Sequence, residues 1–247
     1  MKHNHFKLLL QTLVVLLFVG GIYLFIKPEK QATKTPSSQQ ASSQKVVKNS
    51  KESTGLPKVS PKDWELILVN RDHMTEELSP ELVDVNGVSV DKRIEQATAD
   101  FLAAAQAIDP QEHLISGYRS VAYQAELYQS YIDQEMANDP SLTREAAEAL
   151  VQTYSQPAGA SEHQTGLAID MSTVDSLNAS DPQVAQAVQK IAPEYGFVLR
   201  FPDGKTKSTG VGYEDWHYRY VGKASARYMT KHRLTLEEYI SALKEKQ

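Results

Sequence analysis

Two short segments of the chain hold residue types that can bind a divalent cation and move a proton. The first reads Ser161-Glu162-His163-Gln164-Thr165-Gly166-Leu167-Ala168-Ile169-Asp170, with six residues between His163 and Asp170. Gly166 permits a tight turn, and Leu167-Ala168-Ile169 then enters a buried strand whose apolar run Asp170 is expected to end. A carboxylate on a core strand is costly unless it is paired or metal-bound, and the turn lets His163 fold back over Asp170. The second segment is Glu214-Asp215-Trp216-His217-Tyr218-Arg219-Tyr220, in which His217 opens a strand and Glu214 stands three residues ahead of it. Two histidines and an aspartate form a three-ligand zinc set that leaves a fourth position for water. Zinc lowers the pKa of that water to ~7. A nearby carboxylate must then accept the proton and later deliver it to a leaving amine, a role that Glu214 fits. Alone, His-x6-Asp reads as a structural pair and Glu-x-x-His as a surface charge pair; their joint presence favours a metal site.

The 247 residues include no cysteine. Disulfides, Cys-ligated zinc or iron–sulfur clusters, a cysteine nucleophile and a lipid on an N-terminal cysteine are therefore excluded, and a metal must be held by His, Asp and Glu. Among the other histidines, His3 and His5 fall on the N-terminal tip, and His73, His113 and His232 read as surface or satisfied core residues. The formal net charge of −5 argues against a nucleic-acid partner. That charge is uneven: residues 1–55 carry eight Lys and two Glu, whereas residues 56–247 carry 18 Lys/Arg against 29 Asp/Glu.

Strand-like runs must carry these segments. They are Glu65–Asn70, His113–Tyr118, Leu167–Ser172, Gly196–Phe201 and Trp216–Gly222. Helical patterns lie between them. In Asp91–Ala107 and the residue after it, Ile94, Ala97, Phe101, Ala104 and Ile108 share a face. Ser120 is placed to cap a helix running to Met136, with Leu127, Tyr131 and Ile132 inward. Asp181-Pro182 marks a helix start, with Val184, Val188 and Ile191 inward and Pro193 as its stop. Thr235-x-x-Glu238 is a capping box opening a last helix with Leu236, Tyr239, Ile240 and Leu243 on one side. Strands and helices mix without strict alternation, which predicts an α+β fold.

Ahead of this domain, Leu8–Ile26 is a 19-residue apolar run flanked by lysines, about the ~20 residues that cross a bilayer as a helix. Residues 1–27 are expected to be an uncleaved membrane anchor, with a cleaved signal segment as the rival reading. The early lysines favour an inside N-terminus and an outside domain. In residues 31–55, thirteen of 25 are Ser, Thr or Gln and none is aromatic, so residues 28–55 are expected to be a disordered tether. The expected folded domain is 56–247.

SxHxxGxAxD followed by ExWH resembles the zinc D-alanyl-D-alanine carboxypeptidases of the VanY type, over roughly Trp64 to Tyr220. The stretches SGYRS, QPAGASEHQTGLAIDM and EDWHYRYVG look like the streptococcal L,D-carboxypeptidase branch called LdcB or DacB. The resemblance implies a small antiparallel sheet flanked by helices, the fold shared with the hedgehog domain. It implies one Zn2+ on His163, Asp170 and His217, with Glu214 as catalytic base. It also turns attention to Arg119 in Ser116-Gly117-Tyr118-Arg119-Ser120. By itself Arg119 reads as a surface ion pair. In a carboxypeptidase it is expected to meet the substrate's terminal carboxylate or scissile carbonyl, through two parallel hydrogen bonds where the geometry allows. Gln124 and Tyr154-Ser155-Gln156 are candidates for stem-peptide contacts. Ser161 is a candidate for holding a ligand or touching substrate, and Trp216 for the pocket wall.

The implied activity is removal of the C-terminal D-alanine from peptidoglycan stem peptides. The L,D bond of a tetrapeptide is favoured, the D,D bond of a pentapeptide is the alternative, and an endopeptidase would have little use for Arg119. A non-catalytic zinc-stabilised wall-binding module is the rival from another class, and it would not need Glu214. A monomer outside the membrane of a Gram-positive bacterium is expected, or a secreted protein if the N-terminal segment is cleaved.

Overall fold

A computed structural model describes residues 55–176 and 179–246. The expected anchor, and all but the last residue of the expected tether, lie outside the described residues. Among those described, no helix is long and apolar enough to cross a membrane.

The first two strands form a hairpin, β1 (Leu82–Val85) paired antiparallel with β2 (Val88–Asp91) across Asn86-Gly87. Helix α1 (Glu95–Gln106) follows, then β3 (His113–Ser116), α2 (Val121–Asn138), α3 (Arg144–Val151), β4 (Ala168–Ser172), α4 (Pro182–Tyr195) and β5 (Phe197–Leu199). The chain closes with a short α5 (Thr206–Thr209), β6 (His217–Tyr220), α6 (Lys223–His232) and α7 (Leu236–Glu245). The main sheet has the order β3-β4-β6-β5 and is antiparallel throughout. The expected α+β class with a small antiparallel sheet and flanking helices is what the structure shows.

Strand alternation gives this sheet two unlike faces. Ile169 and Met171 of β4, Tyr218 of β6, Leu114 of β3 and Phe197 of β5 share a core with Ile94 just before α1, Phe101 and Leu102 of α1, and Val188 and Ala192 of α4. Phe101 stacks on Phe197 at 5.1 Å and meets Tyr218 edge-on at 5.1 Å. The opposite face carries Ser116, Asp170 and His217. The pairing register sets Asp170 directly between Ser116 and His217. A second cluster joins Met229 of α6 and the inner face of α7 to Val198 and Leu66, and a third joins α2 to α3 through Tyr128, Ile132, Ala147 and Val151.

Several expected elements change. Glu65–Asn70 is not a strand. Trp64–Leu66 forms a 3-10 turn, and Asn70 makes an isolated bridge with His73. The Arg219 guanidinium takes the carbonyls of Glu65 and Ile67, acceptors that a neighbouring strand would otherwise use. The helix expected from Asp91 starts later, because Asp91 closes β2 and Lys92–Ile94 is a 3-10 turn. It ends at Gln106, which leaves Ile108 exposed, and Leu102 and Ala105 are buried with Phe101. Ser120 caps α2 as expected, accepting from Tyr123 N, and Ile132 is inward as expected. The helix runs to Asn138, however, and Gln124 and Tyr128 join Ile132 on its buried face while Leu127 and Tyr131 are half-buried.

Pro193 does not stop α4. The helix runs to Tyr195, and Gly196, left-handed at φ 92°, returns its N–H to the carbonyls of Ala192 and Pro193. A proline in the last turn deletes one donor, and the glycine cap supplies the stop. The capping box at Thr235 and Glu238 and the buried face of α7 are as expected.

Candidate metal centre and active site

The segment before β4 coils into a 3-10 turn, Glu162–Thr165, and Gly166 ends it in the left-handed region at φ 68°. Thr165 Oγ1 ties the turn to the strand, donating to Glu162 O and accepting from Leu167 N. The chain then enters β4 with Asp170 inside the strand, since the buried run continues to Ser172 rather than ending at Asp170. The turn brings His163 back over Asp170, with Nε2 3.4 Å from Oδ2. The β4–β6 register brings His217 Nδ1 to 3.1 Å from Asp170 Oδ1. Ligand atoms of His163, Asp170 and His217 all lie within 4.8 Å of one another, and all three residues are buried.

These residues fit a cation. His163 Nδ1 donates to the Gly117 carbonyl at 2.6 Å, which fixes the tautomer and leaves Nε2 a lone pair. That Nε2 is buried without a hydrogen-bond partner, and so is Asp170 Oδ1 despite its closeness to His217. Asp170 Oδ2, by contrast, accepts from the Ser116 hydroxyl and from Arg119 Nη2. Two nitrogens and one carboxylate oxygen converge without saturating one another, and N/O ligand sets of this kind suit zinc. The outer partners resemble those that orient metal-bound histidines.

The electrostatics separate the groups. Burial is the largest influence on His163 and, with Arg119, brings it down to about 4 against the pull of Asp170, so the ring is neutral. Burial opposes the charge on Asp170, yet His163 and His217 hold its carboxyl well below the usual range. Burial also lowers His217, but Asp170 and Glu162 beside it outweigh that and raise it to about 9. Glu214 sits just ahead of β6, its N–H bonded to Phe201 O and its Oε2 3.7 Å from His217 Nδ1. Burial pushes Glu214 up to about 8, with Asp170 adding and His217 opposing.

Arg119 follows the β3 turn, and its backbone N–H bonds to His163 O. Its Nη1 donates to Gln124 Oε1 at 3.0 Å, while its Nε is buried without a partner. Gln124 Nε2 donates to the Gln156 carbonyl, so both ends of this amide act within the protein, bracing Arg119. Gln156 Nε2 is a second buried donor without a partner. One cleft of about 320 Å³ is lined by every residue singled out from the sequence: His163, Asp170, His217, Glu214, Arg119, Gln124, Ser155, Gln156, Ser161 and Trp216. Tyr131 and Tyr154 also line it, edge to face at 5.8 Å.

Sequence reasoning passed over a set of buried charges in and beside this cleft, of which Glu162 and Arg200 line it. Glu162 Oε1 accepts from Arg200 Nε at 2.8 Å and from Arg219 Nη1 at 2.9 Å. Arg200 also pairs with Glu237 of α7. Burial opposes the charge on Glu162, yet the two arginines hold its carboxyl well below the usual range. The signal was available: an arginine within each of two apolar strand runs requires an acidic partner. Of the set-aside histidines, His73 bonds Asn70 and His113 meets Asp175 at 2.9 Å, and neither joins the cleft.

Comparison with known proteins agrees with this geometry. The family described as VanY, D-alanyl-D-alanine carboxypeptidase, matches residues 87–223. A D-alanyl-D-alanine carboxypeptidase of Enterococcus faecalis is 32% identical over 236 residues, covering 94% of this chain and 87% of its own. The vancomycin resistance D,D-pentapeptidase VanY from a VanB-type cassette, solved in complex with Zn(II), superposes with a TM-score of 0.64 at 35% identity, covering 72% of this chain and 99% of its own. The LdcB LD-carboxypeptidase gives a TM-score of 0.58 at 30% identity, covering 71% and 85%.

Proposed function

The chain belongs to the VanY family of D-alanyl-D-alanine carboxypeptidases, and from that premise we propose that it is a zinc metallocarboxypeptidase that releases the C-terminal D-alanine of peptidoglycan stem peptides. One observation carries this: in a single cleft, a three-ligand set stands beside a separate carboxylate and two buried donors without partners.

His163 Nε2, an Asp170 oxygen and His217 Nδ1 would hold the zinc ion, which when bound would polarise a carbonyl and acidify water. Glu214 takes a proton from the attacking water as the water oxygen bonds to the scissile carbonyl carbon. As the C–N bond breaks, Glu214 gives that proton to the departing D-alanine nitrogen. Arg119 Nε and Gln156 Nε2 point to recognition of the substrate's carboxylate or carbonyl oxygens, which would satisfy both donors. A donor aimed at developing oxyanion charge is worth about 3 kcal/mol.

Two bonds remain in play. The D,D bond of a pentapeptide is favoured by the similarity to the D-alanyl-D-alanine carboxypeptidase and to the D,D-pentapeptidase VanY. The L,D bond of a tetrapeptide, the expectation from the sequence, keeps the support of the LdcB neighbour. A localisation outside the membrane, with residues 1–27 as anchor and 28–55 as tether, is proposed on the sequence pattern.

The test is release of D-alanine, measured with a coupled D-amino-acid oxidase. Zinc-loaded protein should release it, EDTA should stop release, and added zinc should restore it. Zinc binding without release would favour the wall-binding module instead.

A further inference from the structure

Glu162 precedes the first histidine of the candidate metal site in the chain but faces the second one, His217, in space. It is 4% exposed, and its side chain is held from one side by two arginines. Both bonds are accepted by the same oxygen, Oε1. The other oxygen, Oε2, faces His217 Nε2 at 3.6 Å. Oε2 and Nε2 are each buried and have no hydrogen-bond partner, so each is the polar group the other faces. Arg219 lies on the same strand as His217, two residues on, and Arg200 pairs with α7, so the carboxylate is fixed from independent elements.

We propose that Glu162 is the positioning residue of the metal centre: its Oε2 accepts the Nε2–H of His217 and thereby reserves Nδ1 for zinc. The proposal rests on the reading above that His217 binds through Nδ1. An imidazole offers one lone pair when neutral, and the bond made by its other nitrogen decides which atom carries it. A carboxylate can only accept, so a proton on Nε2 is the one arrangement that satisfies both atoms. The geometry also makes Glu162→Gln informative. The two arginines require an acceptor, so they turn the amide oxygen toward themselves and the amide NH2 toward His217. A donor facing Nε2 favours the tautomer with the proton on Nδ1, the wrong one for the metal.

The experiment compares the full chain, purified in detergent, with Glu162→Gln. Zinc affinity is read by competition with a chelator, and the histidine tautomers by 15N spectra of histidine-labelled protein. Glu162→Gln should bind zinc about 10–100-fold more weakly. Wild type loaded with zinc should show His217 with the metal on Nδ1 and a slowly exchanging Nε2–H. Zinc affinity within twofold of wild type in a folded Glu162→Gln would overturn the proposal, as would zinc on Nε2 of His217 in wild type. If the variant fails to fold, because two arginines lose their buried partner, the wild-type spectrum decides alone. A wild type that binds zinc through Nδ1 yet releases no D-alanine would defeat the carboxypeptidase reading and leave the role of Glu162 standing.

Discussion

Removing the Glu214 carboxylate separates chemistry from architecture. Glu214→Ala should keep zinc and fold but lose about 10²–10⁴-fold in kcat, read as D-alanine release beside zinc content. Turnover within a few-fold of wild type would exclude Glu214 as the base. Arg119→Ala should cut kcat/KM by about 10²-fold or more with little change in Tm, since its side chain joins only Gln124 and Asp170. A different residue governs pH. Glu112 is buried near Asp109, His113, Asp215 and Tyr218; burial first, then Asp109 and Asp215, raise its carboxyl from 4.5 to about 7. The folded state therefore holds this proton more tightly, and its cost is absent below the unfolded pKa and complete above the folded one. Glu112→Gln should leave stability unchanged at about pH 4.5 and add about 1–2 kcal/mol at pH 8, measured by denaturant melts. A gain at acid pH instead would reverse this assignment. At this scale the sequence was most legible where one residue type has few uses: His163, Asp170 and His217 suit a cation by type and meet in the fold, while the family resemblance, more than spacing, singled out Glu214. Glu162, Arg200 and Arg219 did not stand out, because their partners lie 38 and 57 residues apart and only the fold joins them.

The cleft depends on two close backbone contacts between elements. At Gly117, a Cβ would stand 2.3 Å from Ser89 O and 2.5 Å from Val88 Cγ1 of β2. The Tyr118 N–H bonds that same Ser89 carbonyl, and the Gly117 carbonyl orients His163. Gly117→Ala should therefore displace the hairpin or the carbonyl, costing about 1–3 kcal/mol of stability and weakening zinc binding together. A variant with wild-type Tm and zinc affinity would contradict that coupling. Gly166 is under the same kind of constraint, with left-handed backbone and Asp91 N 2.8 Å from where a Cβ would sit. The hairpin pressing on Gly117 was not anticipated, although Asn86-Gly87 between alternating Val residues is a strong hairpin signal. The misread segment at 65–70 has the opposite cause. Its apolar residues suit a strand, but a distant arginine occupies the carbonyls that pairing would need. Caps proved the most readable element feature, because Ser120, Asp181 and Thr235 act on donors two or three residues away.

At the scale of the molecule, the alternation of one small sheet divides labour: one face builds the core with α1 and α4, and the other holds Asp170 between Ser116 and His217. The sequence marked β4 and β6 as strands but not this division of faces, because β4 is buried from Ala168 to Ser172 and reads as one apolar run, and the order β3-β4-β6-β5 depends on long connections that no local pattern specifies. The absence of cysteine took on a constructive meaning too, since the ligand set is made of His and Asp alone. Whether the whole assembly trims a free C-terminus is settled by its products. Full-length protein in detergent, loaded with zinc, is incubated with defined tetrapeptide and pentapeptide muropeptides, and the products are weighed by mass spectrometry with and without EDTA. The expected result is loss of a single terminal D-alanine, from pentapeptide first, abolished by EDTA. Trimming of the tetrapeptide alone would select the L,D bond instead. Intact substrates, or cleavage within the stem, would contradict the carboxypeptidase assignment.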